Sequence, residues 1–142
     1  MWRHGERSFD IMTALKRRFE RNPMLFVTDP EECERLALLC LDPSKRLILI
    51  DDENHPTKWW NGTVVVPGTD ERFTEAGSWE FTAAAIRAKH AIRIIRLREP
   101  FKGIGYVIKV PVKELGTDIY IKLTYNAKAT KVIGRSFHYD TE

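Results

Sequence analysis

Three β-patterned runs in the C-terminal part of this chain constrain its fold more than any other feature. They span 104–112, 119–125 and 132–138, and short links containing Gly116 and Asn126 separate them. Runs rich in Val, Ile, Tyr and Thr that are bounded by turn-forming residues are typical of strands, and short links favour antiparallel neighbours. The pattern therefore predicts a three-stranded antiparallel meander.

Helical patterns precede these strands. The clearest begins at Asp29, where a capping carboxylate, a proline at the first helical position and two acids meet the positive end of the helix dipole. This helix is expected to bury Cys33, Leu36, Ala37 and Cys40 and to end before Asp42. Serine caps predict two more helices, from Ser8 to about Arg21 and from Ser78 to about His90. Helices followed by an antiparallel sheet make an α+β fold, and 142 residues predict a single domain over 1–142.

Shorter segments between these helices are less regular. A brief strand is predicted at Met24–Val27, a buried strand at Leu47–Ile50 and another short strand at Val64–Val66. The run Ile92–Leu97 either continues the preceding helix or starts a strand. Trp59-Trp60 is interpreted as core rather than as a base-stacking pair. The acidic turn at 51–56 is interpreted as solvated rather than metal-binding, so no metal or other cofactor is expected.

Composition places the chain among ordinary globular proteins, with 43% hydrophobic and 30% charged residues. No run approaches the roughly 18 apolar residues of a membrane span. The first residues lack the apolar core of a secretory signal. A cytoplasmic protein without a membrane partner is therefore expected.

Charge is distributed unevenly along the chain. Residues 86–142 hold twelve Lys and Arg against five Asp and Glu, a net charge of +7, whereas residues 29–85 hold five against twelve, a net charge of −7. A one-sided positive surface attracts polyanions, nucleic acid first among them. The segment with the three β-runs is thus the expected nucleic-acid-binding part, although an ordinary solvated surface would carry the same charge.

The register of the last hairpin depends on the loop between its strands. A four-residue loop at 126–129 places Tyr120 opposite Arg135, with Lys122 on the same face. His138 then points to the other face unless a β-bulge redirects it. A change of one residue in the loop length exchanges the two faces.

These side chains suit the cleavage of RNA without a metal ion. The 2′-hydroxyl must lose a proton, the phosphorane needs cations, and the 5′-oxygen must gain a proton. His138 or Tyr120 would handle the protons, while Arg135 and Lys122 would hold the phosphate. The same residue types are also common on ordinary strands, because strands favour tyrosine and their solvent faces favour lysine and arginine.

The segment Ile119-Tyr-Ile-Lys-Leu-Thr124, followed by Val132-Ile-Gly-Arg-Ser-Phe-His138, resembles the closing hairpin of the MqsR-type toxins. These belong to the RelE-like bacterial ribonucleases, whose helices pack on an antiparallel sheet. The resemblance implies a RelE/barnase-like fold, a catalytic role for Tyr120 and an antitoxin protein as partner. His138 falls where the family has its terminal catalytic lysine, and Lys122 matches a strand lysine. The chain lacks the family's mid-chain Trp-Gln pair and its lysine-bearing segment.

The sequence therefore predicts a metal-independent endoribonuclease that acts as the toxin of a toxin–antitoxin pair. The candidate catalytic residues are His138, Tyr120 and Arg135, and the candidate substrate-binding residues are Lys122, Lys131, Lys109, Arg93 and His90. A helix cap or a core position is the alternative interpretation of His90. Two other functions stay open: a non-catalytic nucleic-acid-binding module, and an interaction protein whose acidic middle segment binds a basic partner.

Overall fold

Two helices and six strands form the part of the chain that the structure describes, which comprises residues 24–49, 60, 63–97 and 103–140 of this computed structural model. The helices are α1 (Pro30–Leu41) and α2 (Glu75–Arg87), and a short 3-10 helix at Pro43–Lys45 follows α1. The strands are β1 (Leu25–Phe26), β2 (Arg46–Ile48), β3 (Ile92–Arg96), β4 (Ile104–Val112), β5 (Thr117–Tyr125) and β6 (Val132–Tyr139).

The strands form one sheet in the order β1-β3-β4-β5-β6-β2. Neighbours are antiparallel except for β2, which runs parallel to β6. The predicted meander is confirmed as β4, β5 and β6, and β3 extends it to four strands. Both described helices pack on the same face of this sheet, which confirms the α+β class.

Helix α1 forms where the sequence predicts it. The Asp29 carboxylate accepts a hydrogen bond from the Glu31 amide at 3.0 Å, and Pro30 takes the first helical position. Leu36 and Cys40 are buried, whereas Cys33 is only half-buried. One apolar stripe of α1 therefore faces the sheet, and its remaining residues face solvent.

Helix α2 begins one turn earlier than predicted, so Ser78 is not its cap. Thr74 is the cap, and its hydroxyl accepts a hydrogen bond from the Gly77 amide at 2.9 Å. Ser78 is fully buried inside the helix, where its hydroxyl donates to the Glu75 carbonyl and accepts from the Trp60 indole, each at 2.6 Å. Serine suits both the start of a helix and a buried, hydrogen-bonded position. Here the hydrogen bond from the Trp60 indole stabilises Ser78 in the buried position.

The shorter segments differ in their outcome. The brief strand at Met24–Val27 and the strand alternative for Ile92–Leu97 are confirmed as β1 and β3. The strand predicted at Leu47–Ile50 forms as β2 but lies at the sheet edge with Leu47 48% exposed, so its predicted burial is wrong. At Val64–Val66 only an isolated bridge forms, between Val65 and Arg72, because the chain reverses at Pro67-Gly68.

The helix predicted from Ser8, the acidic turn at 51–56 and Trp59 of the Trp59-Trp60 pair lie outside the described residues. In the described ranges, no helix is long and apolar enough to cross a membrane.

An aromatic cluster fills the space between the helices and β6. The rings of Trp60 and Trp79 stack with centroids 4.3 Å apart, and Phe137 lies 5.2 Å from Trp60. Trp60 is only 5% exposed, which confirms its predicted burial. Its ring rests on Gly134 of β6, where any Cβ would come within 2.6 Å of the indole. Glycine is thus required here for close approach, because an alanine would overlap the ring.

Candidate functional site

Strands β4, β5 and β6 present two chemically different faces. On β5, the side chains of Ile119, Ile121 and Leu123 are completely buried beneath the helices. The alternate residues, among them Tyr120 and Lys122, point to the other face. This second face, named the polar face, carries six of the eight residues predicted as site residues: Arg93, Lys109, Tyr120, Lys122, Arg135 and His138.

The predicted register of the β5–β6 hairpin is wrong, and the correction brings His138 to the polar face. Tyr125 pairs with Val132 rather than with Thr130, and Tyr120 pairs with His138 rather than with Arg135. The turn is longer than predicted because the Asn126 side chain closes it, accepting hydrogen bonds from the amides of residues 130 and 131 at 2.8 and 2.9 Å.

A β-bulge at Arg135 supplies the rest of the shift. Leu123 pairs with Gly134 and Lys122 with Ser136, so Arg135 is the extra residue of β6. A bulge sets two consecutive residues against one partner. The Arg135 guanidinium accordingly reaches the polar face, where its Nε donates to the Thr124 hydroxyl at 3.0 Å. Without the bulge Arg135 would pair with Lys122 and His138 would point beneath the helices, so the bulge is what brings His138 to the face that holds Arg135.

Tyr120 lies at the centre of the polar face with a partner on each side. Its ring stacks on the His138 imidazole, with centroids 5.1 Å apart and planes 17° apart. From β4, the Lys109 ammonium lies 6.0 Å from the centre of the same ring. A proton-transfer group, a phenol and a cation are therefore adjacent on three neighbouring strands.

One nitrogen of His138 is fixed by the backbone. Its Nδ1 lies 2.8 Å from the Tyr139 carbonyl oxygen. Because a carbonyl oxygen only accepts hydrogen bonds, Nδ1 carries the proton, and Nε2 of the neutral ring bears the lone pair. The imidazole is thus held in the tautomer in which Nε2 can accept a proton.

Tyr120 is held in its protonated form. Burial raises the pKa of its phenol, Lys109 and Arg93 partly oppose this, and the Asp140 carboxylate adds to it. The phenol therefore keeps its proton at neutral pH. It can donate a hydrogen bond or a proton, but it is a poor base.

Asp140 pairs with the cation of this group. Its Oδ2 lies 3.0 Å from the Lys109 Nζ, and this hydrogen bond is the main cause that raises the pKa of the Lys109 ammonium. Sequence reasoning missed Asp140. The signal for it was its position two residues after His138, because residues i and i+2 of a strand share a face.

Further cations lie toward the hairpin turn. Arg93 and Lys122 both pair with Val107, one from β3 and the other from β5, so the three form one row across the sheet. The Arg93 Nε is buried and has no hydrogen-bond partner in the part of the chain that the structure describes. A buried donor without an acceptor is costly unless a ligand supplies one. An anion bound on this row would do so.

The other two predicted residues lie apart from this group. Lys131 precedes β6 at the hairpin turn, seven residues from His138 and so roughly 20 Å along the strand. His90 lies in the link between α2 and β3, where it lines a cleft of about 420 Å³ together with Cys33 of α1. Burial and two nearby carboxylates raise the pKa of the Cys33 thiol, so it is not an activated nucleophile.

No protein-family model, curated protein or solved structure matches this chain. The interpretation of the site therefore rests on its own chemistry. The polar face combines an imidazole with an available Nε2, a protonated phenol and several cations, which together suit the transfer of protons at a bound phosphate ester.

Proposed function

We propose that this protein is a metal-independent endoribonuclease with a RelE/barnase-like arrangement of helices on an antiparallel sheet. The single observation that carries the proposal is the stacked pair of Tyr120 and His138, with the Lys109 ammonium beside it. Packing does not require an imidazole, a phenol and an ammonium in contact on one sheet face. Acid–base cleavage of RNA needs a proton acceptor, a proton donor and a cation at the phosphate, and these three side chains can fill those roles.

In the proposed reaction, the 2′-oxygen of a ribose attacks the adjacent phosphorus. His138 accepts the proton of the 2′-hydroxyl on Nε2. The phosphorus–O5′ bond then breaks, and the departing 5′-oxygen takes the proton of the Tyr120 phenol. The products are a 2′,3′-cyclic phosphate and a 5′-hydroxyl end. Solvent returns a proton to the tyrosine and removes one from the histidine, so no proton is gained or lost over the cycle.

The cations around this pair would serve the phosphate. Lys109 lies next to Tyr120, where it would stabilise the charge that develops on the phosphorane oxygens and on the phenolate. Arg93, Lys122 and Arg135 lie toward the hairpin turn and would hold the neighbouring nucleotides through their backbone phosphates. The substrate would thus extend from the stacked pair toward the turn.

Cleavage of RNA in the presence of EDTA tests this proposal. The wild-type protein is expected to cut a mixed-sequence RNA and to leave 2′,3′-cyclic phosphate ends, whereas a DNA of the same sequence stays intact. His138→Ala and Tyr120→Phe are each expected to lower the rate about 100-fold or more, because each removes a proton-transfer group. His90→Ala, in the link between α2 and β3, is the matched control that should cleave like the wild type.

Two results would contradict the proposal. If His138→Ala and Tyr120→Phe cleave as fast as the wild type, any activity arises elsewhere. If the wild-type protein binds RNA without cutting it, the non-catalytic nucleic-acid-binding module is the better account of the basic polar face. Affinity that falls steeply with salt would then identify the phosphate contacts.

We further propose that the enzyme acts as the toxin of a toxin–antitoxin pair. The support is the resemblance of its last hairpin to that of the MqsR-type toxins, which implies an antitoxin protein as partner. Expression of the wild-type chain alone should arrest bacterial growth, and the His138→Ala variant at equal abundance should not. Equal growth of cells that express the wild-type chain and cells that express His138→Ala would argue against a toxic ribonuclease.

A further inference from the structure

Asp140 occupies a fixed place at the end of β6. Its amide donates to the Asp118 carbonyl at 2.8 Å, and its own carbonyl accepts a hydrogen bond from the Thr117 hydroxyl at 3.3 Å. Because the backbone is held on β5 in this way, the carboxylate has a set position relative to the sheet. That position lies two residues beyond His138 and 3.0 Å from the Lys109 ammonium.

We propose that Asp140 is a positioning residue of the site, whose carboxylate fixes the Lys109 ammonium beside the Tyr120 ring before substrate binds. This inference rests on the proposed ribonuclease function and adds a residue that was not among the candidates from the sequence. A lysine has four rotatable bonds and a freely hydrated charge, so it holds a defined place only when a partner restrains it. The carboxylate provides the restraint.

The pair is too exposed to serve mainly the stability of the fold. The side chains of Lys109 and Asp140 are 50% and 32% exposed, and exposed ion pairs contribute little to folding. Removal of the carboxylate should therefore leave the fold intact, which makes the role of Asp140 accessible to substitution. The same carboxylate also raises the pKa of both Lys109 and Tyr120.

Other charged and titratable groups also face this pair across the sheet. They are Arg93 on β3, Asp118, Tyr120 and Lys122 on β5, and His138 on β6. Asp118 is the matched comparison for Asp140. It carries the same charge on the same face, and it also raises the pKa of Lys109, but the ion pair of Lys109 is with Asp140.

The first test does not depend on activity. In protein carrying ¹³C-labelled lysine, with the Lys109 signals assigned by their loss in Lys109→Ala, the ring-current shift of the Lys109 ε-methylene signal caused by the Tyr120 ring is measured by NMR. Asp140→Asn is expected to move that signal to the value of an unrestrained lysine, because the carboxylate no longer holds the ammonium beside the ring. Asp118→Asn should leave the signal in place. Equal behaviour of Asp140→Asn and the wild type would overturn the inference.

The second test uses RNA cleavage. Asp140→Asn is expected to lower kcat about 10- to 100-fold with little change in KM, because the cation loses its set position. Asp140→Glu, which keeps the charge, should recover part of the rate, and Asp118→Asn should stay near the wild type.

The two hypotheses fail in distinguishable ways. If the wild-type protein cleaves RNA through His138 and Tyr120 but Asp140→Asn has the wild-type kcat and the wild-type Lys109 signal, the role of Asp140 is refuted and the ribonuclease stands. If the wild-type protein does not cleave RNA, the ribonuclease fails. The Lys109 NMR signal then still decides whether Asp140 fixes the ammonium beside the ring.

Discussion

Phe137 and His138 are neighbours on β6, yet they belong to two different regions of the molecule. Phe137 points beneath the helices, is completely buried and contacts the rings of Trp60, Phe73 and Phe81. His138 points to the polar face, is half-buried and stacks on one tyrosine. The first face is thus built by apolar packing, whereas the second holds groups whose arrangement packing does not explain.

The polar face also buries polar groups. Thr124 and Ser136 are buried there at 2% and 9% exposure, and Thr124 accepts a hydrogen bond from Arg135. The Arg93 Nε is buried without a hydrogen-bond partner among the described residues, and such a donor costs stability. The helix-covered face thus consists of apolar packing, whereas the polar face holds a polar group that packing leaves unsatisfied.

Substitution of the two neighbours should separate these roles most clearly. Phe137→Ala is expected to lower the free energy of unfolding by about 3–5 kcal/mol, because it opens a cavity among three aromatic rings. His138→Ala should lower it by only about 1 kcal/mol, the value of one aromatic contact. Urea denaturation measures both. A large loss of stability in His138→Ala would show that the polar face is structural as well.

Gly134 tests how tightly the helix-covered face is packed. A Cβ at this position would meet Trp60 ring atoms at 2.6–2.9 Å, so Gly134→Ala should cost about 2–3 kcal/mol and change the tryptophan fluorescence. Gly116→Ala is the matched control, because nothing lies within 4 Å of its Cβ and its only penalty is the positive φ of 63°. If both variants lose the same stability, the close contact with Trp60 is unimportant.

Features that several residues specify together could be predicted from the sequence, whereas features that one side chain decides could not. The strands at 104–112, 119–125 and 132–138 were predictable because several β-favouring residues agree in each. Helix α1 was predictable because the two residues that start it, the capping Asp29 and Pro30 at the first helical position, are adjacent in sequence. Arg93, Lys109, Tyr120 and Lys122 lie on one face because they follow the two-residue period of their strands. His138 shares that face with Arg135 only because of the bulge, so the period of β6 alone placed it wrongly.

The register was not predictable, for a physical reason. Two events set it: the side-chain hydrogen bonds of Asn126 and the bulge at Arg135. The turn also holds Ala129 at a positive φ of 54°, a conformation that is usual for glycine or asparagine but not for alanine. The bulge has no residue signature of its own. The start of α2 was missed because the partner of Ser78, the Trp60 indole, is distant in sequence.

High pH should weaken the helix-covered face. Burial raises the pKa of the Cys40 thiol from 9.0 to about 12 and that of the Tyr106 phenol from 10.0 to about 12. Because the folded state keeps protons that the unfolded state releases, stability is full below about pH 9 and falls as the pH rises toward 12. Urea denaturation from pH 7 to 11 should show this fall, with a smaller slope in Tyr106→Phe. A flat profile would mean that these groups titrate normally.

The smallest effects concern two residues in the left-handed conformation. Lys89 follows the C-cap of α2 at a φ of 63°, and Ala129 lies in the turn that sets the register of the polar face. Lys89 lies just past the helix end, where its amide bonds to the Ile86 carbonyl at 3.1 Å and glycine is the preferred residue. Lys89→Gly and Ala129→Gly should each stabilise the protein by about 0.5–1 kcal/mol in urea denaturation.

The Lys89→Gly and Ala129→Gly variants also test whether the conformation of residue 129 contributes to the polar face. If Ala129→Gly stabilises the fold and leaves RNA cleavage unchanged, the Asn126 hydrogen bonds and the Arg135 bulge maintain the register that places His138 beside Tyr120 without any contribution from residue 129. If cleavage falls while stability rises, the conformation of residue 129 is itself needed to hold that register. Lys89→Gly, which is remote from the polar face, should leave cleavage at the wild-type rate in either case.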